Sequence, residues 1–212
     1  MGKNLLPQDR EELHNTITHL VGAVAFSSMM WLLVSMAIPQ GWRWTMGVVF
    51  LCVGTMLMYS FSTAYHWTHQ GKAKRVMRIL DHIGIYVMIA CSYTPLCIAV
   101  IGGWLGWTVF GLLWAVVVCG AVYKVAAIGR YPRLSLFLYL LMGWSAVFVA
   151  KPVWDSLSAL PLSLILAEGV AYTAGTYFFA HDDRHLYHAI WHLFVLAGTI
   201  FHWGAIISIL VK

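Results

Sequence analysis

A chain of 212 residues in which 61% of positions are hydrophobic and 10% are charged cannot clothe itself in polar side chains, since a soluble domain carries about a quarter charged residues. Its formal charge of +5 rests on few ionic groups. They describe orientation in a membrane and contact with anionic headgroups rather than nucleic-acid binding.

A hydrocarbon core roughly 30 Å thick needs about 20 mostly apolar residues per helix, and seven such stretches follow one another. They run from Thr18 to Ile38, Trp44 to Trp67, Ile79 to Ile101, Trp104 to Val125, Leu134 to Val153, Leu160 to Phe179 and Tyr187 to Val211. Turn and charge signals separate them at Pro39 to Gly41, Gln70 to Lys72, Gly102-Gly103, Gly129 to Pro132, Lys151-Pro152 and His181 to Arg184. Only the glycine pair divides the third stretch from the fourth, and a six-span count would merge or drop one there. Strands are excluded because membrane barrels alternate apolar and polar residues, whereas these runs stay apolar on every face.

The expectation is therefore an all-α, seven-helix transmembrane bundle in a single domain over residues 1–212, with no internal repeat and no second soluble domain. The polar stretch Met1 to Asn15, a lead-in over residues 1–16, lacks the apolar core of a removable signal peptide, so the first span should itself direct insertion. Asp9 and Glu12 fit the N-cap and N3 positions of a capping box, which predicts a short amphipathic helix ahead of the first span. Cys52, Cys91, Cys97 and Cys119 all fall inside spans and read as small buried hydrophobes rather than a disulfide framework. Trp42, Trp44, Trp104 and Trp107 at span ends fit an aromatic belt.

Lys3, Arg10, Lys72, Lys74, Arg75, Arg78, Lys124, Arg130, Arg133 and Arg184 fall on the side of the N-terminus, against Arg43, Lys151 and Lys212 on the other. Such a bias places the N-terminus in the cytoplasm and, with seven spans, the C-terminus outside.

Ionisable residues near or within spans are costly and mark candidate sites. Here they converge at one depth: Glu12, Asn15 and His19 beside the first span, Ser62 and His66 in the last turns of the second, Asp81 and His82 in the first turn of the third, and His188 and His192 in the first two turns of the seventh. His188 and His192, four apart on a helix, share a face and can both reach one metal ion, and His66 can supply a third imidazole. Three imidazoles leave a fourth tetrahedral position for water, as in catalytic rather than structural zinc sites. Asp81 would accept the proton of that water or orient it, and Ser62 would support the site by a hydrogen bond. The plainer reading is interhelical hydrogen bonding. Histidines 181, 185, 188 and 192 follow at spacings of four, three and four, so any adjacent pair can chelate; His181 and His185 flank a wet loop and read as solvated. His202 lies 14 residues beyond His188, about 21 Å along a helix, too far to share an ion, and is expected in a buried hydrogen bond. His14 and His69 read as interfacial.

Glu12-x-x-Asn15-x-x-Thr18-His19, Ser62-x-x-x-His66, Asp81-x-x-Gly84-Ile85 and His188-x-x-x-His192, in that order, resemble the hemolysin III family, the bacterial branch of the progestin and adipoQ receptor superfamily. The resemblance covers nearly the whole chain, including Tyr139 to Trp144. It implies zinc held by His66, His188 and His192, Asp81 engaging the zinc-bound water, and Ser62 in support, and it selects His188 and His192 from the histidine ladder. The wider group includes alkaline ceramidases, which implies hydrolysis of a lipid amide or ester inside the membrane. The chain departs from the animal receptors in lacking their long N-terminal extension and in carrying His82 where they have tyrosine.

The expected function is thus a zinc-binding, multi-pass protein of the bacterial inner membrane that senses or acts on membrane lipids, with zinc-dependent intramembrane hydrolysis of lipid amides or esters as the candidate activity. The alternatives are a receptor-like regulator with a structural zinc and, ranked last, a pore-forming haemolysin.

Overall fold

Residues 7–211 are described by a computed structural model, and among them the chain is helical with no strand. Helix α1 runs Pro7–Ala37 and ends in a 3-10 turn, Ile38–Gln40. Next come α2, Trp42–Trp67, and α3, Lys72–Pro95, prolonged by a π-helical segment, Leu96–Ile101. Helix α4 is Gly103–Ala127. The fifth span is composite: α5, Pro132–Gly143, a 3-10 stretch, Trp144–Val149, and α6, Ala150–Ser156. Helices α7, Ala159–Ala180, and α8, Tyr187–Leu210, complete the set. Seven stretches are long and apolar enough to cross a membrane, in agreement with the count from hydropathy.

The separation of the third and fourth spans rests on backbone geometry. Gly102 and Gly103 both adopt left-handed φ, +61° and +54°, which a residue with a Cβ rarely accepts, and so the chain reverses within two residues. Pro95 has no N–H to continue an α-helical ladder, and the helix passes into π geometry immediately after it.

Three boundaries differ from expectation. From Pro7, the first described residue, helix α1 continues unbroken into the span, so Asp9 lies inside the helix instead of capping it, and among the described residues no separate lead-in helix precedes the span. The side chain of Asp9 lies outside the described residues, as do Lys3 and Lys212. Helix α3 starts at Lys72, seven residues before the apolar run at Ile79, which puts Asp81 in its third turn. The break expected at Lys151-Pro152 is absent; Pro152 sits in the first turn of α6, and the chain turns at Leu157-Ser158 instead.

Lipid is as apolar as leucine, so close approach of backbones matters more here than water exclusion. A Cβ on Gly47 of α2 would fall 2.6 Å from the Cα of Pro95, and one on Gly198 of α8 would fall 2.6 Å from the ring of Tyr172 on α7. Helix α2 packs on α1 and α3, and α8 on α7 and α1. Between α2 and α8, Tyr59 shares a 2.8 Å hydrogen bond with Thr199, and the Trp203 indole donates to Thr55 at 3.4 Å. Trp31 and Phe148 point outward, as do Trp42, Trp104 and Trp107 of the expected belt, whereas Trp44 is half-buried against the core. Cys119 corrects the reading of the cysteines: it is exposed on the outer face of α4, while the other three are buried. Lys124, counted above with the loops, lies in the last turn of α4, buried, and donates to Ser135 Oγ at 2.6 Å.

The start of α1, the end of α2, the first turns of α3 and the start of α8 meet at one end of the bundle.

Candidate metal centre

His66 occupies the last turn of α2, one turn after buried Ser62. Its Nδ1 lies 2.6 Å from Glu12 Oε2 of α1, and the other carboxylate oxygen accepts a 2.8 Å hydrogen bond from Lys74 Nζ of α3. Lys74 also donates to the Tyr65 carbonyl at 2.8 Å. With Nδ1 engaged, the ring presents Nε2, which is buried and has no hydrogen-bond partner among the described residues. An orphaned buried nitrogen is costly unless something occupies it.

His192 on α8 is braced in the same way from α1. Its Nδ1 is 3.2 Å from the Asn15 carbonyl and 2.9 Å from Thr18 Oγ1. The Thr18 hydroxyl has its own acceptors, the carbonyls of His14 and Asn15 at 3.0 and 2.9 Å, so the ring nitrogen is the donor. A proton on Nδ1 leaves the Nε2 lone pair free. His188, one turn earlier, places Nδ1 3.6 Å from Asp182 Oδ2. The His188 imidazole holds the Asp182 carboxyl below the usual carboxylate range, against the opposing effect of burial.

The three rings converge: His66 to His188 at 5.0 Å between centroids, His66 to His192 at 5.1 Å, and His188 to His192 at 4.7 Å. One ligating atom from each lies within 4.8 Å of the others. Zinc binds imidazole at about 2.0–2.1 Å, so modest χ adjustment brings all three onto one ion. Imidazole nitrogens with carboxylate and carbonyl partners behind them are the usual zinc donor set. The residues fit such a metal.

Asp81 is buried on α3, outside that set of three, and Ser62 is buried on α2 one turn before His66. His82 Nδ1 lies 3.8 Å from Asp81 Oδ2. His19 stacks face to face on His192, 3.5 Å between centroids, and is buried with neither ring nitrogen partnered among the described residues. The rest of the histidine ladder stays out: His181 donates to the Tyr177 carbonyl at 2.8 Å, and exposed His185 lies 3.5 Å from Glu11. His202 makes the buried hydrogen bond expected of it, with Glu168 Oε2 of α7 at 2.8 Å.

Sequence reasoning grouped Glu12, Asn15 and His19 with the site without giving them tasks. It missed Asp182, which the charged run from Asp182 to Arg184 disguised as loop, and Glu168, which a search for acids inside apolar spans would have found.

A seven-span fold with three imidazoles converging at one end, braced from a neighbouring helix, defines a multi-pass membrane protein with a candidate metal centre. Residues 8–203 match the family described as haemolysin-III related, and the chain belongs to that family. Hemolysin-3 of Bacillus cereus is 36% identical over 192 residues, covering 90% of this chain and 87% of the relative. A Hemolysin-3 homolog of Bacillus subtilis (strain 168) is 36% identical over 191 residues, 90% of each chain. The heptahelical transmembrane protein ADIPOR2 of Oryza sativa subsp. japonica is 30% identical over 77% of this chain and 81% of its own length, which fits the wider receptor superfamily.

Proposed function

We propose that this chain is a zinc-dependent protein of the bacterial inner membrane that hydrolyses amide or ester bonds of membrane lipids and so adjusts the state of the membrane. Its N-terminus lies in the cytoplasm and the site sits at that depth, in keeping with the positive charge gathered on that face. The observation that carries the reading is the orphaned Nε2 of His66 beside two further imidazoles, all within 4.8 Å.

His66, His188 and His192 would hold the zinc, which when bound supplies Lewis acidity for activating water. Glu12 fixes the His66 ring and the Asn15 carbonyl the His192 ring by engaging their Nδ1 atoms, and Asp182 stands beside Nδ1 of His188. Asp81 is the general base: its carboxylate takes the proton from the attacking water and returns it to the leaving nitrogen or oxygen as the acyl bond breaks. Ser62 orients the Asp81 carboxylate.

The purified chain is expected to carry about one zinc, and His188→Ala to carry none. Lipid profiles of membranes holding wild-type or Asp81→Asn protein then test the chemistry: a lipid that accumulates only with the variant names the substrate. Identical profiles, with zinc retained, would overturn hydrolysis. They would favour a regulator in which zinc ties α2 to α8, a reading supported by the side-chain bonds that link those helices.

A further inference from the structure

Lys74, Arg75 and Arg78 stand on the first two turns of α3 and line a cleft of about 550 Å³ together with Glu12, Gln70 and Ile128. Three cations thus meet a single carboxylate, and that carboxylate is already engaged, with one oxygen on His66 and the other on Lys74. Neither arginine has an ion pair among the described residues. Both are nevertheless placed around a common space.

Two of the cations are held from behind. Lys74 lies 4.3 Å from the centre of the Tyr65 ring, and its ammonium also binds the Tyr65 carbonyl. The Arg78 guanidinium rests against the turn after α4, where a Cβ on Gly129 would lie 3.4 Å from Nη1 and where φ is +76°. A side chain on that glycine would be strained, and it would push into the guanidinium. From Ile128 the outer face of α4 descends into the span through exposed Val125 and Val122, 63% and 65% accessible, so the cleft opens beside an apolar surface. A polar recess at the end of the spans with an apolar wall leading away from it has the shape of an amphiphile with an anionic head.

We propose that this cleft binds the phosphate of an anionic phospholipid, the phosphodiester lying between Arg75 and Arg78 and the acyl chains along the outer face of α4. Planar guanidinium groups match phosphate oxygens in a bidentate way that an ammonium does not. The site is separate from the metal centre and does not depend on zinc, although Glu12 touches both.

The test is native mass spectrometry of the full chain in detergent, titrated separately with phosphatidylglycerol, phosphatidylcholine and inorganic phosphate. The expected result is one tightly retained phosphatidylglycerol, with phosphatidylcholine and free phosphate each bound at least tenfold more weakly. Arg75→Gln/Arg78→Gln should weaken phosphatidylglycerol binding about tenfold or more. Lys72→Gln, which removes a cation of the same helix outside the cleft, should change it less than twofold. Equal retention of both lipids, or equal loss in Lys72→Gln, would overturn the site. Free phosphate binding as tightly as the lipid would overturn the lipid as its source. If the double variant does not fold, Arg75→Gln alone, at an exposed side chain, gives the same reading.

Discussion

Two buried histidine sites lie along α8, ten residues apart, and they solve the same problem differently. His202 has one nitrogen on the Glu168 carboxylate and, like His66, an Nε2 with no partner among the described residues, but it belongs to no cluster of three donors there. His192 also has one nitrogen engaged, but two more rings aim at the same point. A single imidazole with a single carboxylate is a way of closing a helix pair. Three imidazoles, each with a partner behind it, bring their ring nitrogens toward one point. Burial alone therefore does not separate packing from metal binding; convergence does.

The comparison breaks most visibly if His66→Ala keeps its zinc, because that substitution removes one of three donors and should abolish stoichiometric metal, read by elemental analysis of purified protein. His202→Ala should leave zinc content untouched. Next in size, Glu12→Gln should weaken zinc binding by about 10–100-fold in a chelator competition, since it removes the anionic brace behind His66 while sparing every donor. Glu168→Ala should lower stability by about 2 kcal/mol with no loss of zinc. In a chain of this size that is a fall in Tm of roughly 4–8 °C by thermal unfolding in detergent. The smallest effect belongs to Asn15→Ala, expected to change zinc affinity less than about threefold, because the bond to His192 comes from the main-chain carbonyl and survives truncation. Thr18→Ala, which removes a hydroxyl from the same nitrogen, should cost more, and the reverse order would disprove that assignment.

The spans were legible because hydropathy is a property of consecutive residues, and a π segment or a composite fifth span does not disturb a running sum. Helix ends were not, since α1 and α3 both extend beyond the hydrocarbon into residues such as Glu12 and Lys74 that hydropathy scores as loop. These polar turns form the wall of the candidate centre. Of the site itself, the His188 and His192 pair was visible from helical spacing and His66 from its matching depth, while the choice against His181 and His185 came from family resemblance. The bonds from Glu12 to His66 and from the Asn15 carbonyl to His192 cross 54 and 177 residues of chain, and no local pattern announces a contact of that range.

That separation has a consequence for biosynthesis. His66 belongs to the second span and its co-ligands to the seventh, so a ribosome must release nearly the whole polypeptide before the donors can meet. Until then the nascent bundle carries Glu12 and His66 as an unfinished half-site in the bilayer. On the proposed metal-binding reading, capture would follow insertion of the final helix, and loading would be a late event that registers whether the earlier spans have entered the membrane.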